Sequence, residues 1–156
     1  MINSKMICKI MGSLFFIEAG FLILCALLAI YYKETDLTAF LSSAAITAGA
    51  GIVFSIFGKN AERKISRRDG YVVVSLAWIF FSLFGMLPFY LSGYIPSITD
   101  AFFETMSGFT TTGSSILNHV EALPHATLFW RSLTQWLGGL GIIMLFIAIL
   151  PSLGIE

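Results

Sequence analysis

The segment from Asp100 to Ser115 reads DAFFETMSGFTTTGSS and lies between two long apolar segments. The pattern predicts a helix from Ser97 to about Phe109, which at 1.5 Å per residue spans roughly 18–20 Å. Such a helix is too short for a bilayer core of about 30 Å. Non-helical backbone at membrane depth is tolerated only where it is buried in protein or lines a water-filled cavity. The segment therefore predicts a re-entrant hairpin.

A hydroxyl-rich loop, TTTGSS, follows this helix. Three consecutive β-branched residues continue a helix poorly, and Gly113 can adopt a positive φ that other residues resist. The C-terminal end of a helix dipole favours a cation, and rings of backbone carbonyls can replace the water shell of an ion. The loop therefore indicates ion conduction. From these residues alone, an ordinary Ser/Thr/Gly turn remains the alternative.

Composition places the chain in the membrane. Of its residues 57% are hydrophobic and 12% are charged, whereas a soluble domain has about 45–50% apolar and about 25% charged residues. We expect an all-α membrane protein with four transmembrane helices, one re-entrant pore helix and a filter loop. Four segments meet the criterion of about 20 mostly apolar residues: Gly12–Tyr32, Leu37–Phe57, Tyr71–Leu91 and Thr127–Leu150.

The distribution of basic residues predicts the orientation. Of the nine Lys and Arg, two precede the first span and five lie between the second and third spans, while Lys33 and Arg131 fall on the other side. The first seven are Lys5, Lys9, Lys59, Arg63, Lys64, Arg67 and Arg68. The positive-inside rule places the N-terminus and the 59–70 loop in the cytoplasm, for a multi-pass protein of the cell (inner) membrane. Docking of a cytosolic partner is the alternative role for this loop, and nucleic-acid binding is not indicated.

Several single residues also carry expectations. Glu104 is expected to hydrogen-bond and steady the loop, and Arg131 and Gln135, spaced i, i+4, to brace the hairpin. Glu18 lies in the first span, where a carboxylate is costly, and we expect it to reach the interface or bond a neighbouring helix. Gly138, Gly139 and Gly141 predict close helix packing. His119 and His125 are expected to lie in an exposed loop, since no spacing supports a serine hydrolase triad.

The run FFETMSGFTTTGSS, followed by LFWRSLTQWLGGLGIIMLFIAILP, closely resembles the first pore-loop repeat of the Trk/Ktr/HKT family of potassium transporters. Two spans ahead of the repeat resemble the TrkH type. The resemblance divides the chain into two N-terminal helices (1–58), the basic loop (59–70), the repeat (71–151) and the start of a continuation (152–156).

The resemblance implies a function in potassium uptake and no enzyme activity. Backbone carbonyls of the filter would bind potassium, with no cofactor and no other metal, and they belong to Thr110, Thr111, Thr112, Gly113 and Ser114. Filter support would come from Glu104, Arg131 and Gln135. Implied partners are the lipid membrane, the remaining repeats of the same transporter, a second copy in a homodimer and a cytosolic nucleotide-binding regulatory subunit.

One departure from the family is plain. Family members have four such repeats around one pore, and this chain has one, so a single loop is not expected to conduct by itself. A non-conducting membrane fragment with an assembly or scaffold role is the alternative function.

The orientation can be tested by cysteine-accessibility labelling at two positions. Because the basic residues favour a cytoplasmic 59–70 loop, Ser66→Cys and His119→Cys are expected to react with impermeant reagents from opposite sides. Labelling of both positions from the same side would contradict the topology.

Overall fold

The structure, a computed structural model, describes residues 3–61 and 66–149, without the side chains of residues 67 and 144–149. Within these ranges there are helices and no strands, which confirms the expected all-α membrane fold. The helices are α1 (Ser4–Tyr32), α2 (Leu37–Phe57), α3 (Arg67–Gly85), α4 (Leu87–Leu91), α5 (Ile98–Phe109) and α6 (His125–Ile149), with one 3-10 turn at Val120–Ala122. Predicted features at Arg63, Lys64, Leu150 and 151–156 lie outside the described residues.

Three described segments are long and apolar enough to cross a membrane: Ser4–Tyr32, Leu37–Phe57 and Arg68–Leu91. The last of these is interrupted at Met86, between α3 and α4. Pro88 lacks an N–H and cannot continue the hydrogen-bond ladder of α3. The predicted fourth span coincides with α6, whose 25 residues correspond to roughly 37 Å of helix.

The first two helices pack against each other and against α3 around Phe15. Its ring lies edge-on to Phe54, Phe80 and Phe84, at centroid distances of 5.2, 5.8 and 4.9 Å. Edge-to-face pairs add to the stabilisation from buried apolar area. Three helices therefore share one aromatic core around Phe15.

Glu18 on α1 corrects an expectation. Its side chain is buried, and neither carboxylate oxygen has a hydrogen-bond partner among the described residues. The prediction that it bonds a neighbouring helix is wrong, because no described residue hydrogen-bonds to its oxygens. Helix α1 begins at Ser4. Glu18 is therefore roughly 21 Å along the helix from its start. The absence of a side chain at Gly85 leaves room for this carboxylate.

The connection between α1 and α2 caps the N-terminus of α6. Glu34 accepts hydrogen bonds from the backbone N–H groups of His125 (2.7 Å) and Ala126 (3.0 Å), and its Oε1 lies 2.8 Å from His125 Nδ1. Asp36 accepts from the hydroxyl of Thr127 at 2.7 Å. Glu34 therefore satisfies two orphan N–H groups of α6, and both carboxylates complement the positive end of the helix dipole.

The hydrogen bonds of this cap determine the charge state of Glu34. Burial raises the pKa of Glu34, but the hydrogen bonds from Ala126 and His125 outweigh it and hold the pKa below its ordinary value. Glu34 therefore stays charged at neutral pH.

His125, expected in an exposed loop, is instead the first residue of α6 and stacks on Tyr32 at a centroid distance of 4.2 Å.

The short helix α5 is covered by protein on one face. The Ser97 hydroxyl caps it by accepting from the Asp100 N–H at 3.3 Å, and serine is a preferred residue at this position. Its buried residues are Ala101, Glu104, Thr105, Ser107, Gly108 and Phe109. The helix packs between α3 and α6, so the re-entrant hairpin has the protein cover that its length demands.

Close contact between α5 and α6 depends on glycine. A Cβ placed on Gly138 would overlap the backbone of Phe109, and one placed on Gly108 would overlap the Thr134 hydroxyl. Gly139 differs, since its nearest neighbour would be a Thr111 methyl at 4.0 Å. Gly141 lies against the ring of Trp78 rather than another backbone.

This contrast predicts a difference between two matched substitutions. Gly138→Ala is expected to destabilise the protein by about 1–3 kcal/mol, the usual cost of overpacking. Gly139→Ala gains the same helix propensity without the overlap and serves as the control. Thermal unfolding of the purified protein in detergent measures both, and equal midpoints for the two variants would contradict the packing.

Candidate cation-binding loop

The loop begins where α5 ends. The backbone N–H groups of Thr110 and Thr111 donate to Met106 and Gly108 at 2.9 Å each, closing the last helical turn. The chain then takes positive φ at Thr111 (55°) and at Gly113 (76°). The positive φ expected of Gly113 is confirmed. A β-branched residue such as Thr111 in this region is strained, and such strain concentrates at functional sites.

One residue of α5 holds three consecutive loop residues. The backbone carbonyl of Ser107 accepts from the N–H groups of Thr112 (3.0 Å) and Gly113 (3.4 Å). The hydroxyl of Ser107 donates to the carbonyl of Ser114 at 2.6 Å. The loop is therefore folded back along the helix that precedes it.

The carbonyls of residues 110–113 are in a different situation. Among the described residues, no hydrogen bond ends on any of these four oxygens. The side-chain hydroxyls nearby are occupied elsewhere, because Thr110 Oγ1 donates to the Met106 carbonyl at 2.7 Å and lies 2.9 Å from Thr112 Oγ1. Residues 110–115 are all exposed in this chain. The loop thus presents four consecutive uncommitted acceptors.

Glu104 joins the helix, the loop and α6. Its two oxygens accept from the Ser115 hydroxyl (3.0 Å each), one accepts from the Ile116 N–H (3.0 Å), and the other from Arg131 Nε (2.8 Å). The Glu104 side chain is 2% exposed and that of Arg131 is 23% exposed. A buried carboxylate is tolerated when a cation and hydrogen bonds compensate it. The contacts fit the expectation that Glu104 steadies the loop.

Gln135 is placed beside the loop without a bond to it. Its Nε2 would lie 3.8 Å from a Cβ on Gly113, and it makes no hydrogen bond within the part of the chain that is described. Arg131 is therefore bonded to the hairpin through Glu104, whereas Gln135 lies beside the hairpin without a hydrogen bond to it among the described residues. Ser107 was not singled out from the sequence, although its i, i+3 spacing from Glu104 places both on one face of α5.

The geometry defines a class of protein. A half-membrane helix turns into a loop that offers backbone oxygens, and neutral carbonyl oxygens are ligands that alkali cations accept in place of water. The apolar helices and this short covered helix are features of an integral membrane protein. The comparisons agree: the chain matches the TrkH family, described as cation transport proteins, over residues 38–156 and belongs to that family.

Similarity to individual proteins extends over nearly the whole chain. The Trk system potassium uptake protein TrkH of Halomonas elongata is 37% identical over 152 residues, covering 97% of this chain and 32% of the relative. TrkH of Escherichia coli (strain K12) is 38% identical over the same coverage, 97% and 32%. The resemblance drawn from the sequence is confirmed. The chain spans about a third of the length of these curated relatives.

A solved structure shows the same fold. The crystal structure of the potassium transporter TrkH from Vibrio parahaemolyticus is similar with a TM-score of 0.89 and 35% sequence identity. The similarity covers 100% of this chain and 33% of that chain. The arrangement of helices and hairpin described above is therefore the TrkH arrangement.

The contacts of Glu104 predict non-additive effects. Arg131→Met leaves a buried carboxylate without its cation, at a cost of about 3–5 kcal/mol. The double variant Glu104→Gln/Arg131→Met removes the charge as well, so it is expected to be more stable than Arg131→Met alone. Thermal unfolding of the two single variants, Glu104→Gln and Arg131→Met, and of the double variant completes the cycle.

Arg68→Met is the control for this cycle, since Arg68 is exposed at the start of α3. It is expected to change stability little. A double variant as unstable as the sum of the two single variants would show that Arg131 and Glu104 do not depend on each other.

Proposed function

We propose that this chain contributes a pore loop to a potassium uptake transporter of the cell membrane, and that the loop binds potassium through the backbone carbonyls of Thr110–Gly113. The carbonyl of Ser114, which the resemblance also implied as a ligand, accepts the Ser107 hydroxyl instead. The observation that carries the proposal is the set of four carbonyls at residues 110–113 that no hydrogen bond occupies within the described residues. Support for potassium as the ion comes from the relatives, which are potassium uptake proteins by name.

The physical basis is replacement of hydration. A cation entering a narrow pore loses water, and carbonyl dipoles held at fixed positions compensate for that loss. The α5 helix ends at Phe109, next to the loop, so the negative end of its dipole favours a cation there. No bond is made or broken in this process, and the role of the protein is to hold the oxygens.

Further walls of the pore belong to other parts of the proposed transporter. A single loop can contact an ion from one side only, and residues 110–115 are exposed in this chain. We propose that the remaining repeats of the same polypeptide cover this face. A homodimer and a cytosolic nucleotide-binding regulatory subunit complete the proposed assembly, with the N-terminus and the 59–70 loop on the cytoplasmic side of the inner membrane. Glu104, Arg131 and Gln135 are proposed to support the filter.

The proposal predicts that substitution of Gly113 changes ion selectivity as well as backbone strain. In the full-length protein, Gly113→Ser imposes a strained conformation that costs about 1–3 kcal/mol and turns neighbouring carbonyls. Potassium-over-sodium selectivity or potassium uptake is expected to fall while membrane expression persists. Ion uptake by cells or proteoliposomes provides the measurement.

Gly93→Ser is the matched control. Gly93 also has a positive φ, of 80°, and open space around it, but it lies outside the hairpin. It shares the backbone penalty and leaves the loop intact, so selectivity is expected to stay unchanged. Equal uptake and selectivity in the Gly113 and Gly93 variants would remove the support for a carbonyl filter at this loop.

A further inference from the structure

We propose that Ser107 is a positioning residue that sets where the row of ion-binding carbonyls ends. The inference rests on the proposed function of the loop and refines it. Ser107 bonds to Thr112 and Gly113 through its carbonyl and to Ser114 through its hydroxyl. In this role Ser107 does not touch the ion, and it acts through the backbone that it holds.

The hydrogen bonds divide the loop at one peptide. Carbonyls 110–113 are uncommitted within the described residues, whereas the Ser114 carbonyl accepts the Ser107 hydroxyl at 2.6 Å. An oxygen that already accepts a short hydrogen bond from the pore helix is held toward that helix. The Ser107 hydroxyl thus directs the Ser114 carbonyl away from the open side of the loop and leaves Gly113 as the last residue whose carbonyl is free to bind a cation.

The chain around Ser107 explains why a small hydroxyl residue suits this position. The residue is only 5% exposed. The next residue, Gly108, is in close contact with the hydroxyl of Thr134 on α6. A side chain much bulkier than serine would compete with this packing, whereas threonine adds one methyl group and keeps the hydroxyl. Alanine would fit but could not donate a hydrogen bond.

Ser107 and Glu104 act on adjacent parts of the loop. Ser107 bonds to residues 112–114, and Glu104 bonds to Ser115 and Ile116. With Ser107→Ala, the Glu104 contacts persist and keep the loop attached. The Ser114 carbonyl, having lost its donor, becomes free to rotate toward the ion path and add an ill-defined ligand. The expected effect is therefore on selectivity rather than on assembly.

The experiment compares variants of the full-length transporter in proteoliposomes. Uptake of rubidium, as a potassium surrogate, is measured in competition with sodium. Ser107→Ala is expected to lower the rubidium-over-sodium preference by roughly 2- to 10-fold, the range for loss of one neutral hydrogen bond. Ser107→Cys, which has the same branching but a slightly larger and weakly donating thiol, is expected to shift the preference in the same direction. This variant gives the deciding measurement if the alanine variant fails to assemble.

Two further variants separate positioning from a general structural effect. Ser107→Thr retains a hydroxyl and is expected to restore most of the preference. Ser132→Ala removes an exposed serine whose hydroxyl, among the described residues, bonds only to Leu128 within its own helix, and it is expected to behave as the parent. A fall in total flux with an unchanged ion preference would overturn the positioning role, as would a threonine variant that carries the parent's flux with a preference no better than that of the alanine variant.

The comparison with Gly113→Ser distinguishes two failures. If Gly113→Ser alters the preference and neither Ser107→Ala nor Ser107→Cys does, the inference about Ser107 is wrong and the proposed filter stands. If neither position affects the preference, both the inference and the proposed filter are overturned.

Discussion

The hairpin depends on the ion pair and hydrogen bonds of the buried Glu104 carboxylate. This carboxylate lies in the middle of α5, and it pairs with Arg131 of α6 and with Ser115 and Ile116 of the loop. A buried charge is expensive unless every oxygen has partners, so the three segments must meet in one arrangement to satisfy it. The same requirement keeps residues 112–114 close to Ser107 one turn further along the helix.

The surrounding helices supply the closeness that these contacts need. Gly108 and Gly138 allow α5 and α6 to approach until backbone and hydroxyl atoms touch. The indole of Trp130 donates to the Gly85 carbonyl at 2.8 Å, which ties α6 to the break between α3 and α4. At its N-terminal end α6 is held by Glu34 and Asp36 from the α1–α2 connection. The first two helices therefore help to place the second helix of the hairpin, although they carry no part of the loop.

Much of the hairpin could be predicted from local features of the sequence. The length of α5, its cap at Ser97 and the positive φ of Gly113 all follow from rules that act over a few residues. The start of α1 was missed because the apolar run begins later, while the helix extends back to a cap at Asn3 that accepts from the Met6 N–H. The contact of Glu34 with His125 joins residues 91 apart, and no local pattern announces such a pair. Ser107 was missed for a related reason, since its role appears only when the loop folds back.

The central claim is that the oxygens free to bind an ion are backbone carbonyls of residues 110–113. Crystals of the full-length transporter grown with rubidium or thallium in place of potassium test it most directly, because anomalous scattering locates these ions. The account predicts anomalous density beside the carbonyls of Thr110–Gly113, with the Ser114 carbonyl still bonded to Ser107. Ions bound instead by side-chain carboxylates, with none along this loop, would contradict it.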